Sequence, residues 1–184
     1  MFGLLLLAFA LSMDAFAAAL CQGAVQRRAG LLALRIGIVF GLAQGVMPLL
    51  GYGLSLIFSA SMAAADHWIA LVLLALLGGR MIREGLGREE GECAPPMAGW
   101  QLLAAAVATS IDAAAAGVTL PLLDRPILLA CAIIGATTAL LSAGGVWLGS
   151  IAGARFGKPA ELLGGAVLIA LGVKIFVQHQ YFGG

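Results

Sequence analysis

Ser12-Met13-Asp14-Ala15-Phe16-Ala17-Ala18 and Ser110-Ile111-Asp112-Ala113-Ala114-Ala115-Ala116 decide the fold. Each stretch sets one aspartate inside a long apolar run, and the two stretches match at an offset of 98 residues. The matching continues outward. Gly41 pairs with Gly135, Gly51 with Gly145 and Leu54 with Leu148, all at an offset of 94. Leu77-Gly78-Gly79-Arg80 pairs with Leu171-Gly172-Val173-Lys174 at the same 94. Chance resemblance among Ala/Leu/Gly-rich helices explains a single match. It does not explain one offset held across two helix pairs together with a matched pair of aspartates. The chain reads as a duplicated three-helix unit, residues 1–92 and 93–184, forming a single membrane domain.

Composition agrees. Of 184 residues 62% are hydrophobic and only 10% charged, against about 25% charged in soluble proteins. A mean hydropathy of +1.06 excludes disorder and leaves too few charges to cover a soluble surface. The apolar runs are continuous rather than alternating, which excludes an outer-membrane barrel. The ten cations are scattered, so no basic stripe for nucleic acid exists. Cys21, Cys93 and Cys131 show no CxxC or metal spacing. They read as small packing residues, not as a disulfide framework or a zinc site.

A span needs about 20 apolar residues, and six segments qualify: Phe2–Leu20, Leu31–Phe58, His67–Ile82, Gly99–Leu120, Ile127–Ile151 and Glu161–Val177. The expected fold is therefore an all-α polytopic membrane protein. No basic residue precedes the first run, so it is kept as a membrane helix rather than a cleaved signal. Three spans per half is an odd number, so the second half enters the membrane from the opposite side. The halves become inverted repeats, an arrangement that puts a transport site near the midplane where they meet.

Orientation follows from Arg and Lys in the short loops. Arg27, Arg28, Arg83, Arg88, Arg155 and Lys158 follow the odd-numbered spans, against Arg125 alone on the other side. Both termini are expected outside the cytoplasm and Arg88 inside.

An ionisable residue inside a span costs about 2.5 to 3.5 kcal/mol on insertion scales and is functional by default. This chain accepts that cost at two equivalent positions, Asp14 and Asp112. Paired carboxylates suit a divalent cation, a proton relay, or both. Thr109 shares a helical face with Asp112. Gln44 aligns with Thr138, each a polar side chain in an apolar helix. Together these are hard oxygen donors of the kind that bind Mg, Ca and Mn. Ser12 and Ser110 precede the aspartates by two residues and would reach the same ion only if the helix unwound. Pro48 frees a backbone carbonyl inside its span. Arg80 and Lys174 are equivalent and lie near span ends, either snorkelling to headgroups or acting as charge partners of a carboxylate. His67 and His179 lie at span edges, away from the aspartates. The abundant Gly and Ala allow close helix approach and would also seat a second copy, a homodimer.

These residues resemble the paired signatures of the MntP-type bacterial manganese efflux pumps. The likeness includes Phe40-Gly41 with Gln44, Met47-Pro48-Leu49, His67-Trp68-Ile69-Ala70, Leu77-Gly78-Gly79-Arg80-Met81-Ile82-Arg83-Glu84 and Glu161-Leu162-Leu163-Gly164-Gly165, and covers nearly the whole chain. Gln44 is a departure, since some members carry Glu there. The resemblance implies an inner-membrane exporter of Mn2+, not an enzyme, with the metal as cargo and no resident cofactor. No nucleotide-binding motif is present, so proton exchange is the expected driver. Other readings are an exporter of another divalent ion such as Fe2+ or Cd2+, an exporter of small organic solutes, and an intramembrane aspartyl protease. A solute carrier would want a cation in the core, which is lacking. The protease would want Gly-x-Gly-Asp, whereas Asp112 follows Thr109-Ser110-Ile111.

Overall fold

The computed structural model describes residues 2–27, 29–62, 66–87, 93, 95–118, 126–153 and 157–182. Among these, all regular structure is helical: α1 (Phe2–Gln26), α2 (Gly30–Met62), α3 (Asp66–Gly87), α4 (Trp100–Thr109), α5 (Ile111–Gly117), α6 (Ile127–Ala152) and α7 (Gly157–Phe182). A helix satisfies every backbone group within its own segment, which lipid demands. Three of the helices, over Gly3–Gln26, Gly30–Gly53 and Ile127–Ala152, are long and apolar enough to cross a bilayer. The chain is an all-helical membrane protein.

Five of the six expected spans appear as single helices, most of them longer than the apolar run alone indicates. The sixth is corrected. Gly99–Leu120 was expected as one helix, but Ser110 interrupts it at φ −101°, ψ 2°, dividing it into α4 and α5. Arg28, Arg88, Arg155 and the turn at Asp124-Arg125 lie outside the described residues, as do the side chains of His67, Lys158 and His179.

Small residues set the packing. In α2, Gly37, Gly41 and Gly45 recur every fourth residue and face Cys131, Gly135 and Ala139 of α6 in antiparallel order. The centre of this crossing is reciprocal. A Cβ added to Gly41 would lie 2.8 Å from the Gly135 carbonyl oxygen, and one added to Gly135 would lie 2.8 Å from that of Gly41. Backbone contact this close is the usual way membrane helices gain dispersion energy when burial from water offers none.

α1 and α6 instead run parallel. Ser12 meets Thr138, Phe16 meets Gly145 and Leu20 meets Gly149. The C-terminal ends of both helices therefore share one end of the bundle. α1 is the core helix: Leu4, Leu7, Leu11, Ala15, Ala19 and Leu20 are all buried. Leu4, Leu7 and Leu11 cluster with Leu168 and Leu171 of α7 and Ile134 of α6, and Ala15 and Ala19 with Phe40 of α2, Leu102 of α4 and Val146 of α6. Gly78 of α3 rests on Gly165 and Ile169 of α7. Gly51 of α2 meets Ala114 and Gly117 of α5.

The cysteine expectation is also corrected. Cys21, at the end of α1, is disulfide-bonded to Cys93 in the segment before α4, with Cα atoms 5.2 Å apart. The partners are 72 residues apart and lack any local motif, so only the fold reveals the pair. Cys131 is free and buried.

Candidate functional site

Polar side chains join α1 to α6 and to α2, and α5 carries Asp112. Ser12 is buried on α1, and its hydroxyl donates to the Ala8 carbonyl at 2.6 Å. A hydroxyl has one hydrogen, so the 2.8 Å contact between Ser12 Oγ and Thr138 Oγ1 is donated by Thr138. Two oxygens thus lock α1 to α6 one residue pair before Asp14.

Gln44 approaches α1 from α2. Its Nε2 donates to the Leu11 carbonyl at 2.8 Å, which fixes the amide orientation, because only the nitrogen can donate. Oε1 is then left buried with no hydrogen-bond partner. Pro48, buried one turn further along α2, has no N–H to give. The carbonyl deprived of its helical donor is that of residue 44 itself. The same residue therefore supplies two oxygens short of donors.

Asp112 sits in the first turn of α5, only 5% exposed. Its Oδ1 accepts the Ala113 N–H at 2.7 Å, while Oδ2 is buried without a partner. The break at Ser110 lies in the sparsely populated bridge region of backbone space. It is stitched by local bonds: Ser110 N–H to Val107 O at 3.1 Å, Ala114 N–H to Ser110 O at 3.1 Å, and Ser110 Oγ to Ala106 O at 2.7 Å. Two charged groups act electrostatically on Asp112, Asp14 from α1 and Arg80 from α3. Asp14 is half-buried.

The predicted residues thus divide. Asp14 and Asp112 fall within each other's field, and Gln44, Thr138 and Ser12 join α1 to its neighbours. Thr109 is half-buried and donates back to Ala105 and Ala106 at 3.0 and 3.1 Å, its lone pairs remaining. Ser110 back-bonds rather than turning toward another helix. Arg80 is exposed on α3. Lys174 is exposed on α7. Among the described residues no group of three or more His, Cys, Asp or Glu side chains stands together, so a metal here would rely on amide, hydroxyl and carbonyl oxygens beside the two carboxylates.

Two residues escaped the sequence reading. Ser142 is buried with Oγ unpartnered. Its signal is the four-residue step from Thr138 along one face of α6. Gln22 is fully buried. Its Nε2 donates to the Pro95 carbonyl at 3.1 Å and its Oε1 accepts the Met97 N–H at 2.8 Å. Its signal is an amide in a helix that has few polar side chains.

The fold is that of an all-helical membrane protein, and the proteins it is similar to are named as efflux pumps, which places it in the class of transporters. A family model described as "Putative manganese efflux pump" matches residues 30–176. A protein of Rhodospirillum rubrum named "Putative manganese efflux pump MntP" is 47% identical over 185 residues, covering 96% of each chain. One of Wolinella succinogenes, "Putative manganese efflux pump MntP 1", is 47% identical over 182 residues, covering 99% of this chain and all of its own. One of Bifidobacterium adolescentis is 43% identical over 98% of each chain. No solved structure matches. The chain belongs to the MntP family, whose members are named as transporters rather than enzymes.

Proposed function

We propose that this chain is a secondary exporter of Mn2+, built as six spans in two inverted repeats in the bacterial inner membrane. The relatives' names supply manganese and direction. The observation that carries the site is that Asp14 and Asp112, equivalent under the repeat, act on one another electrostatically beside the unpartnered oxygens of Asp112 and Gln44. The proposed ligand set is Asp14, Asp112, Gln44, Thr109 and Thr138. Ser12, Ser110 and Pro48 shape it, with Arg80 or Lys174 as charge partners.

Packing supports the duplication. Gly41 and Gly135 are equivalent at the offset of 94 and touch each other. Gly51 against Ala114 and Gly145 against Phe16 are the same contact under the offsets of 94 and 98. Orientation has support too. The end shared by α1, α6 and the segment before α4 is the end from which the basic loops emerge, so it is assigned to the cytoplasm.

Exporting Mn2+ against 100 mV, negative inside, costs about 4.6 kcal/mol at 2.3 per charge. Two ionised aspartates cancel the charge of the bound ion, and a buried charge needs such pairing. When the ion leaves, two bare carboxylates in one site repel and bind a proton. The empty carrier returns protonated, which couples export to proton entry.

Proteoliposome flux of several divalent ions, with and without a pH gradient and with the membrane potential clamped, tests this reading. Mn2+ flux that responds to the pH gradient is expected. A double variant Asp14→Asn, Asp112→Asn that moves Mn2+ at the parental rate would end the site assignment. Indifference of the parent to the pH gradient would end proton coupling.

A further inference from the structure

We propose that Cys21 and Cys93 form a redox-responsive clip that fastens the segment joining the two halves to α1 and slows export when oxidised. The inference rests on the export reading and on the orientation given above.

Three observations converge on it. The first is geometric. The two Cα atoms are 5.2 Å apart, inside the range a disulfide accepts. Their proximity is held independently by Gln22, next to Cys21, through its two hydrogen bonds to Pro95 and Met97. Reduced thiols would therefore stay neighbours at high effective concentration, and the bridge can form and break without rebuilding the surroundings.

The second is position. Cys21 follows Asp14 by seven residues, two turns along the same face of α1, about 10 Å at 1.5 Å per residue. Cys93 precedes the first residue of α4 by seven residues, and α4 leads into the break that presents Asp112. The bridge thus shortens the tether between the helices bearing the two carboxylates. Alternating access in repeat transporters needs one half to rock against the other, and a shortened tether opposes that motion.

The third is compartment. This end of the bundle is the basic, cytoplasmic one. Disulfides in a reducing cytosol are seldom structural, and those that occur are usually transient and redox-sensing.

The chemistry closes with a low-molecular-weight disulfide such as oxidised glutathione as oxidant. Cys93 is half-buried and Cys21 buried, so the Cys93 thiolate attacks first. One Cys93–glutathione S–S bond forms, the glutathione S–S bond breaks, and one glutathione thiol leaves. The Cys21 thiolate then attacks the Cys93 sulfur and expels the second. Two protein thiols are oxidised, one small disulfide is reduced to two thiols, and the two protons lost by the cysteines end on glutathione.

The full-length parent is reconstituted in liposomes, treated with dithiothreitol or with oxidised glutathione, and its thiol state read by mass spectrometry before Mn2+ flux is measured. Oxidation should lower flux at least about fivefold, the lower range of allosteric couplings, and dithiothreitol should restore it. Cys93→Ser and, independently, Cys21→Ser should transport equally in both conditions, while Cys131→Ser should behave like the parent. In unstressed cells, alkylation should find both cysteines reduced. Equal flux from bridged and reduced parent would overturn the clip while leaving export intact. So would a bridge already complete in unstressed cells. Absence of Mn2+ flux from the reduced parent would take down the export reading and the clip with it.

Discussion

α1 and the α4–α5 pair occupy equivalent places under the proposed duplication, yet they are built differently. α1 runs unbroken for 25 residues and is buried along most of its length. Its counterpart is split at Ser110, and Trp100, Leu103, Val107 and Ile111 stand exposed along it. One aspartate is held by a continuous core helix that packs on α6 and α7. The other rides on a seven-residue helix that rests chiefly on α2. The lesson is that matched sequence need not give matched backbone. The continuous helix keeps the segment around Asp14 in the core, and the broken one holds Asp112 with its Oδ2 buried and without a partner.

The largest expected effect tests whether the two aspartates are nonetheless equivalent in chemistry. Asp14→Asn and Asp112→Asn should each lower Mn2+ flux about 100-fold or more, because removing one partner from a buried charge set costs about 3 to 5 kcal/mol. Circular dichroism should remain helical. Retention of flux by Asp14→Asn alone would break the comparison and leave Asp112 the sole essential carboxylate.

Next come the mirrored glycine contacts. Gly51→Val drives a side chain into the Ala114 carbonyl, and Gly145→Val drives one toward Phe16, where even a Cβ would sit 2.9 Å from the carbonyl oxygen. Overpacking of this kind costs about 1 to 3 kcal/mol. Gly51→Val should lower the thermal midpoint more, since its Cβ would overlap the Ala114 carbonyl far more closely than a Cβ at Gly145 would meet Phe16. It should also lower flux more, since the strain falls on α5, which carries Asp112. Thermal unfolding in detergent alongside liposome flux separates the two.

Pro48 sharpens the contrast, because Ser142 stands at the equivalent place in α6. Pro48→Ser returns an N–H to the residue-44 carbonyl. Stability should rise by up to about 3 kcal/mol, while flux falls about tenfold as an oxygen is withdrawn from the site. The smallest effect is Ser142→Ala. Removing a buried hydroxyl that has no partner should change stability by less than about 1 kcal/mol, measured by the same thermal scan.

Much of this architecture was legible in the sequence. Ile127–Ala152 follows almost residue for residue from its apolar run, because an uncharged stretch bounded by Pro126 and Gly153 leaves lipid-compatible helix as its one solution. Gly153 at φ 72° closes it. That Gln44, Thr138 and Asp112 are buried was readable, because polarity inside an apolar run singles them out. The break at Ser110 was not, since the matching Ser12-Met13-Asp14 sits in unbroken helix, so the local sequence alone does not tell the two apart. Neither was the Cys21–Cys93 pair, which depends on a chain reversal across 72 residues. Ser142 is lost among many small residues that serve only close packing.

The reciprocal contact of Gly41 and Gly135 has a mechanical consequence. A contact made of main chain on both sides contains no rotamers, so it has nothing to repack and no alternative state to fall into. It behaves as a bearing. Under the proposed rocking of one half against the other, this contact can turn without any side chain having to repack.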